Sequence, residues 1–335
     1  MNFDFTDDQR AIKETARDLL ASRFKLERLR ELAESKTYGD DAWSEISELG
    51  WPGIFISEEH GGQGLGVLEL VILLEELGYV LAPLPFLSNA AAGLVLQETG
   101  STDRLEGVAS GQARGTVGFV KDGRANLVPD AGDADFIVLI DGTDATLVER
   151  GDAQVEPIYA IDPTRRYATV QANGGEPLGD ASRARDLIAL AVAAELVGIS
   201  QRALEMAVEY AKDRKQFDRP IGAYQAVSHQ CAEMLKQVEG ARSLVYYAGW
   251  AADAAPDEFS LAASMAKAYA SDAGWHVTAS ALQVHGGIGF TWEHDLHWFL
   301  KRAKTDGVLF GSARDHRERV AELAGMGAAA AAAAV

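Results

Sequence analysis

At 335 residues, 47% hydrophobic and 24% charged, the chain is too long for one small core and too apolar to be disordered; two or three subdomains in one folded unit are expected. A net charge of −19 repels a phosphate backbone and excludes nucleic acid as a partner, while leaving room for a few local arginines or helix N-termini to bind a small phosphate ligand. The single cysteine, Cys231, excludes an intrachain disulfide, fits a reducing compartment, and has apolar neighbours at helical spacing that mark it as inert packing.

The N-terminus, MNFDFTDDQR, lacks the basic and apolar regions of a signal peptide. No apolar run reads as long enough to span a bilayer, so a cytoplasmic protein without membrane contact is expected. Residues 1–100 read as helical. Thr6 and Gln9 form a capping box, Asp7 and Asp8 sit in the positive first turn, and Ile12, Ala16, Leu19, Leu20 and Phe24 share one face. A short helix over 42–49 stops at Gly50. The stretch from Gly50 to Gly64 is too glycine-rich for a helix, and 67–77 is apolar on most sides, as a buried helix would be.

Residues 101–180 change character. Short β-prone runs at 116–119, 136–140, 145–148 and 168–170, separated by Asp122-Gly123 and Asp141-Gly142, predict a small antiparallel sheet or barrel. Residues 181–325 then carry four long helical patterns, at 183–213, 223–254, 257–285 and 294–324, punctuated by Gly222, Pro256 and Gly286-Gly287. Long helices with short links predict an antiparallel four-helix bundle. The tail, 326–335, is an alanine run of low complexity that is expected to fray.

Two segments carry chemical signals. The first is Arg214-Lys215-Gln216-Phe217-Asp218-Arg219-Pro220-Ile221 with Gln225, at a break between two long helices where Pro220 and Gly222 are expected to set the turn. A helix restarting there offers free N–H groups, and the arginines can grip an anion. Physics alone favours a solvated basic turn. The second is Gln283-Val284-His285-Gly286-Gly287-Ile288-Gly289-Phe290, whose glycines let a ligand or another backbone approach. A simple glycine helix stop explains it equally well. His285 has no second His or Cys at ligand spacing, so no metal site is expected.

Taken together, these residues resemble the acyl-CoA dehydrogenase family over nearly the whole chain. The resemblance runs from Glu48-Leu49-Gly50 and Gly61-Gly62-Gln63-Gly64 through the arginine segment and Lys267 to Gln283–Phe290 and Glu293. It implies a mainly α fold: an N-terminal helical domain, a reduced middle β domain and a C-terminal four-helix bundle, assembled as a tetramer. It also implies FAD at a subunit interface, with Arg214, Gln216, Phe217, Gln225, Gln283, Gly286 and Gly287 contacting its pyrophosphate and adenosine half. The activity implied is α,β-desaturation of an acyl-CoA, passing electrons to an electron-transfer flavoprotein.

The match fails at the catalytic base. Phe310, before Gly311-Ser312, stands where the family carries a carboxylate, and Ala189 stands at the alternative position on the first bundle helix. Glu195 is a weak candidate for a relocated base, against the plainer reading of a structural carboxylate. The segment that contacts the flavin ring is also missing after Gly118-Phe119. This pattern resembles the short subunits of heterotetrameric acyl-CoA dehydrogenases of bacterial steroid side-chain breakdown, implying a longer homologous partner that carries the base. A self-sufficient homo-oligomer, a non-catalytic scaffold and a flavin-dependent oxygenase on the same fold remain alternatives.

Overall fold

The computed structural model describes residues 4–326, so the alanine tail from Gly327 onward lies outside the described residues. Eleven helices and nine strands follow in chain order among them. The N-terminal segment holds α1 (Asp7–Arg23), α2 (Leu26–Ser35), α3 (Asp40–Glu48), α4 (Val67–Tyr79), α5 (Phe86–Thr99) and the short α6 (Leu105–Ala109). The expected Thr6–Gln9 capping box opens α1. In α4, Leu70 to Gly78 are all buried, including Glu75 and Glu76. Those two carboxylates draw in the neighbouring helices: Lys13 Nζ lies 2.7 Å from Glu76 and 3.2 Å from Glu75, and Arg242 Nε lies 3.2 Å from Glu75. Burial disfavours the charge on Glu75, but Lys13 and Arg242 outweigh it and hold its pKa below the ordinary carboxylate range.

The middle segment forms β1 (Gly115–Lys121), β2 (Arg124–Pro129), β3 (Phe136–Asp141), β4 (Asp144–Glu149), β5 (Gln154–Ile158), β6 (Tyr167–Gln171) and β7 (Glu176–Asp180). They build one seven-stranded sheet in the order β5-β6-β2-β1-β3-β4-β7. The expectation of an antiparallel sheet needs correction, because β1 and β3 pair in parallel, with Gly115 opposite Phe136. The chain between them is taken up by β2, which turns outward and leaves the other side of β1 free for β3.

The C-terminal segment consists of α7 (Ser182–Asp213), a two-stranded hairpin of β8 (Lys215–Gln216) and β9 (Arg219–Pro220), then α8 (Gln225–Ala254), α9 (Pro256–His285), α10 (Leu296–Asp306) and α11 (Ala313–Leu323). The fourth helix of the predicted bundle is therefore two helices. Gly307 to Ser312 breaks it, with Phe310 (φ +56) and Gly311 (φ +108) in the left-handed region, and Ser312 caps the restart by accepting from Asp315 N.

A second correction concerns α7. By length and composition it could cross a membrane, contrary to the expectation from the sequence. Yet 89% of its apolar window is buried inside the protein, so its length serves the core of the bundle.

Candidate functional site

The arginine segment folds as a tight hairpin on the end of α7. Gln216 pairs with Arg219, and the two residues between them, Phe217 (φ +52) and Asp218 (φ +64), both adopt left-handed backbone, the signature of a type I′ turn. The turn is thus made by Phe217-Asp218, not by Pro220 and Gly222 as the sequence suggests. Ile221–Ala223 is a single 3₁₀ turn leading into α8. A bulky residue gains nothing intrinsically from left-handed backbone, yet Phe217 sits at the tip with 89% of its surface exposed. Among the described residues its one ring partner is Tyr224, nearly perpendicular to it with centroids 6.5 Å apart. Tyr224 also donates its hydroxyl to Gln216 O (3.1 Å) and lies 3.9 Å beneath the Arg219 guanidinium.

Arg214, Gln216, Phe217 and Gln225 are all exposed. Arg214 uses its backbone to close α7 on Tyr210 O (2.8 Å) and to accept from Ile221 N (2.8 Å), and among the described residues its guanidinium meets no carboxylate. Gln225 is the first residue of α8, whose first turn has no side-chain cap. Free N–H groups and an unpaired cation therefore share this corner.

In the second segment the glycines do different jobs. Gly286 ends α9 at φ +64, ψ −140, a conformation suited to glycine, so the helix-stop reading is correct for it. At Gly289 an added Cβ would lie 2.9 Å from Leu282 O and 3.0 Å from the His285 Cβ, so close packing requires it. Gly287 has neither excuse. Its φ is not in the left-handed region, and a Cβ there would meet nothing within 4 Å. Gln283, one turn earlier on α9, is likewise exposed.

Two stacked rings, buried His285 and half-buried Tyr210, bring the segments together. His285 stacks on Tyr210 of α7 with centroids 4.5 Å apart, one turn before Arg214. Its Nδ1 donates to Ala281 O (2.8 Å), and burial lowers its pKa, so it stays neutral and structural. From α8, Gln230 donates to Ser280 O of α9 (3.3 Å). The ends of α7 and α9 and the start of α8 thus form one end of the bundle. Sequence reasoning missed Tyr210, whose only signal is its place one helical turn before the arginine.

The base position looks entirely different. Phe310 is buried and its ring meets Phe119 of β1 at 5.0 Å. Arg185 lies 4.9 Å over the other ring of that pair, Phe119. Lys267, fully buried, donates to Gly311 O (2.8 Å) and to Ser271 Oγ (3.0 Å), pinning the link that carries Phe310. Burial pushes the Lys267 ammonium down to about 7.

Glu195 is also fully engaged. Arg165 Nη2 lies 2.7 Å and Arg302 Nη1 2.6 Å from its carboxylate. Arg302 further bonds Asp162 (2.6 Å) and Thr164 (2.5 Å), and Arg165 bonds Asp306 (3.1 Å). Burial works against ionising Glu195, but the two guanidiniums outweigh it and keep its pKa below the ordinary value. A carboxylate held charged by two buried arginines is a poor proton acceptor. This geometry favours the reading of Glu195 as a structural carboxylate over that of a relocated base.

Comparison with known proteins identifies the family and the fold. The chain matches the acyl-CoA dehydrogenase N-terminal domain over residues 6–115 and the C-terminal domain over residues 181–325. It is 35% identical over 317 residues to acyl-CoA dehydrogenase IpdE2 of Mycolicibacterium smegmatis, covering 94% of this chain and 98% of that protein. Among solved structures, the ChsE4-ChsE5 complex from Mycobacterium tuberculosis contains a chain 25% identical, covering 96% of this chain and 98% of its own, with a TM-score of 0.88. The Tcur3481-Tcur3483 steroid ACAD G363A variant gives 26% identity, 96% and 99% coverage, and a TM-score of 0.87. The chain belongs to the acyl-CoA dehydrogenase family, FAD-dependent oxidoreductases that act on acyl-CoA.

Proposed function

We propose that this chain is the base-free subunit of a heteromeric acyl-CoA dehydrogenase, supplying the pyrophosphate and adenosine half of a FAD site that a longer homologous subunit completes. The contrast between the two regions carries this reading: the hairpin and Gly287 are open and unpaired, while the base position is an aromatic pair beside a buried ion network. The donors present fit a dinucleotide. Arg214 can pair with a phosphate, the uncapped turn at Gln225 adds N–H groups, and Phe217 offers an exposed ring for stacking. At Gly287 the backbone can come within van der Waals reach of the ligand, with Gln283 beside it. Gln216 and Gly286 hold the shape of the two segments.

FAD held by these residues would supply the acceptor for the hydride leaving the acyl Cβ. This chain's part is to orient it, because neither Phe310 nor Ala189 can take the α-proton and Glu195 is held as an anion in the ion network. The partner's carboxylate does that work. The likeness to a solved steroid ACAD supports a steroid-derived acyl-CoA as the substrate class, and an electron-transfer flavoprotein as acceptor follows from the family resemblance.

The test is expression of the chain alone and together with a longer homologous subunit, followed by measurement of bound flavin and acyl-CoA-dependent dye reduction. Flavin and turnover only in the complex are expected. Full activity from the chain alone overturns the reading, and absence of flavin from both preparations leaves a scaffold.

A further inference from the structure

One surface plays no part in the site described above. The outer side of α10 carries half-buried His297 and Lys301 and exposed Lys304, with exposed Val308 continuing the stripe just beyond the helix. Aromatic rings rather than carboxylates accompany its lysines. Lys301 Nζ lies 4.2 Å from the centroid of Trp292 and 4.9 Å from that of Trp298, and Lys304 Nζ lies 4.3 Å from that of Trp275. Among the described residues neither lysine has an ion-pair partner, in a chain of net charge −19. Glu293 is the exposed acid in the stretch, and Asp295 is taken by Arg30 at 2.6 Å. At the hairpin end, Trp292 is 72% and Phe290 70% exposed, with Ile288 and Val308 also open. Large exposed rings flanked by unpaired cations have the make-up of a protein interface.

We propose that this face, from Phe290 and Trp292 along α10 to Val308, is where the longer partner subunit docks, through an acidic surface with an apolar recess for Trp292. The proposal rests on the half-site reading and adds the surface and its chemistry. Two observations select this occupant. Trp292 lies five residues beyond Gly287, so a body that closes a ligand onto Gly287 also reaches Trp292. A second copy of this chain meeting it by two-fold symmetry would bring one lysine-bearing patch against another of the same net sign, which is electrostatically unfavourable.

The test uses the full chain with the longer subunit. Dissociation constants are measured over stepped salt for wild type, Trp292→Ala, Lys304→Glu and Lys301→Glu/Lys304→Glu, with melting of the free chain as control. Trp292→Ala is expected to weaken association about tenfold or more at every salt concentration. The charge reversals are expected to weaken it about tenfold at low salt and to flatten the salt dependence. Lys304→Glu, at an exposed position, keeps the test intact if the double variant melts early. Unchanged dissociation constants for Trp292→Ala and Lys304→Glu, with flavin still lost in Arg214→Ala, overturn the docking face and leave the half-site standing. A wild-type chain that never associates overturns both. Self-association of the wild-type chain that the reversals abolish assigns the face to a second copy and overturns the proposal.

Discussion

The hairpin end of the bundle and the region around Glu195 both concentrate charge, and they treat it in opposite ways. Around Glu195, two arginines and three carboxylates are buried and joined by bonds of 2.6 to 3.1 Å. At the hairpin, Arg214 and Lys215 have no ion-pair partner among the described residues, and Phe217 projects from backbone that a bulky residue does not favour. A charge whose partners are all internal has been committed to the fold, whereas one left open at a strained turn is available to a ligand. The same contrast separates a carboxylate with internal partners from cations that the half-site proposal assigns to a ligand.

The sharpest way to break that contrast is Glu195→Gln. Removing one charge leaves Arg165 and Arg302 under-compensated in the interior, and a loss of about 3 kcal/mol or more is expected. Denaturant titration of the free chain reads it directly. A base would behave otherwise: turnover would fall while the midpoint stayed put, and that result would restore Glu195 as a catalytic candidate.

The same interior sets a pH dependence. Burial, reinforced by repulsion from Glu195, raises the Asp306 carboxyl to about 7. The folded chain then keeps a proton that the unfolded chain loses from its ordinary pKa of 3.8 upward, so this group's contribution is greatest in acid and falls as pH rises to about 7. Lys267 runs the other way. Its folded pKa of about 7 lies below the ordinary 10.5, so its cost is complete below pH 7 and is relieved as pH climbs towards 10.5. Asp306→Asn should flatten stability between pH 4 and 7, and Lys267→Met between 7 and 10. Unchanged slopes in both variants would mean that the two side chains settle their charges within the fold without proton exchange.

At the open end the expected effects concern ligand more than fold. Arg214→Ala should leave the melting of the free chain nearly unchanged, since its side chain has no partner to lose. In the complex it should weaken flavin retention by about 1.5–3 kcal/mol, the worth of a charge-assisted bond. Equal flavin retention in wild type and variant would return the hairpin to the status of a solvated basic turn.

Legibility in the sequence follows the range of the interactions. Local signals were readable: the Thr6–Gln9 box, the long apolar period of α7 to α9, and the glycine that stops α9. The fourth bundle helix was over-read because its apolar period resumes after Ser312, although Gly307 and Gly311 mark the break. The buried ion network was invisible, since its members come from three distant stretches, 162–165, 195 and 302–306, and of these only Glu195 stands out in the sequence. At the candidate site, the motif residues could be named in advance, but the turn at Phe217-Asp218 and the Tyr210–His285 stack could not. One breaks a backbone preference and the other joins two helices.

The two adjacent glycines give the finest form of the contrast, because one serves the fold and the other has no fold-level reason to be glycine. Gly286→Ala forces a side chain into φ +64, ψ −140, and about 1–3 kcal/mol of stability should be lost. Gly287→Ala adds a methyl that meets nothing within 4 Å, so thermal unfolding of the free chain should not move. If the dinucleotide backbone passes over this point, the same methyl displaces it, and flavin retention in the complex should drop a few-fold. Measuring both variants in both assays separates the roles. Identical flavin retention in Gly287→Ala and wild type would show that the ligand never approaches Gly287, and the half-site would then rest on the hairpin alone.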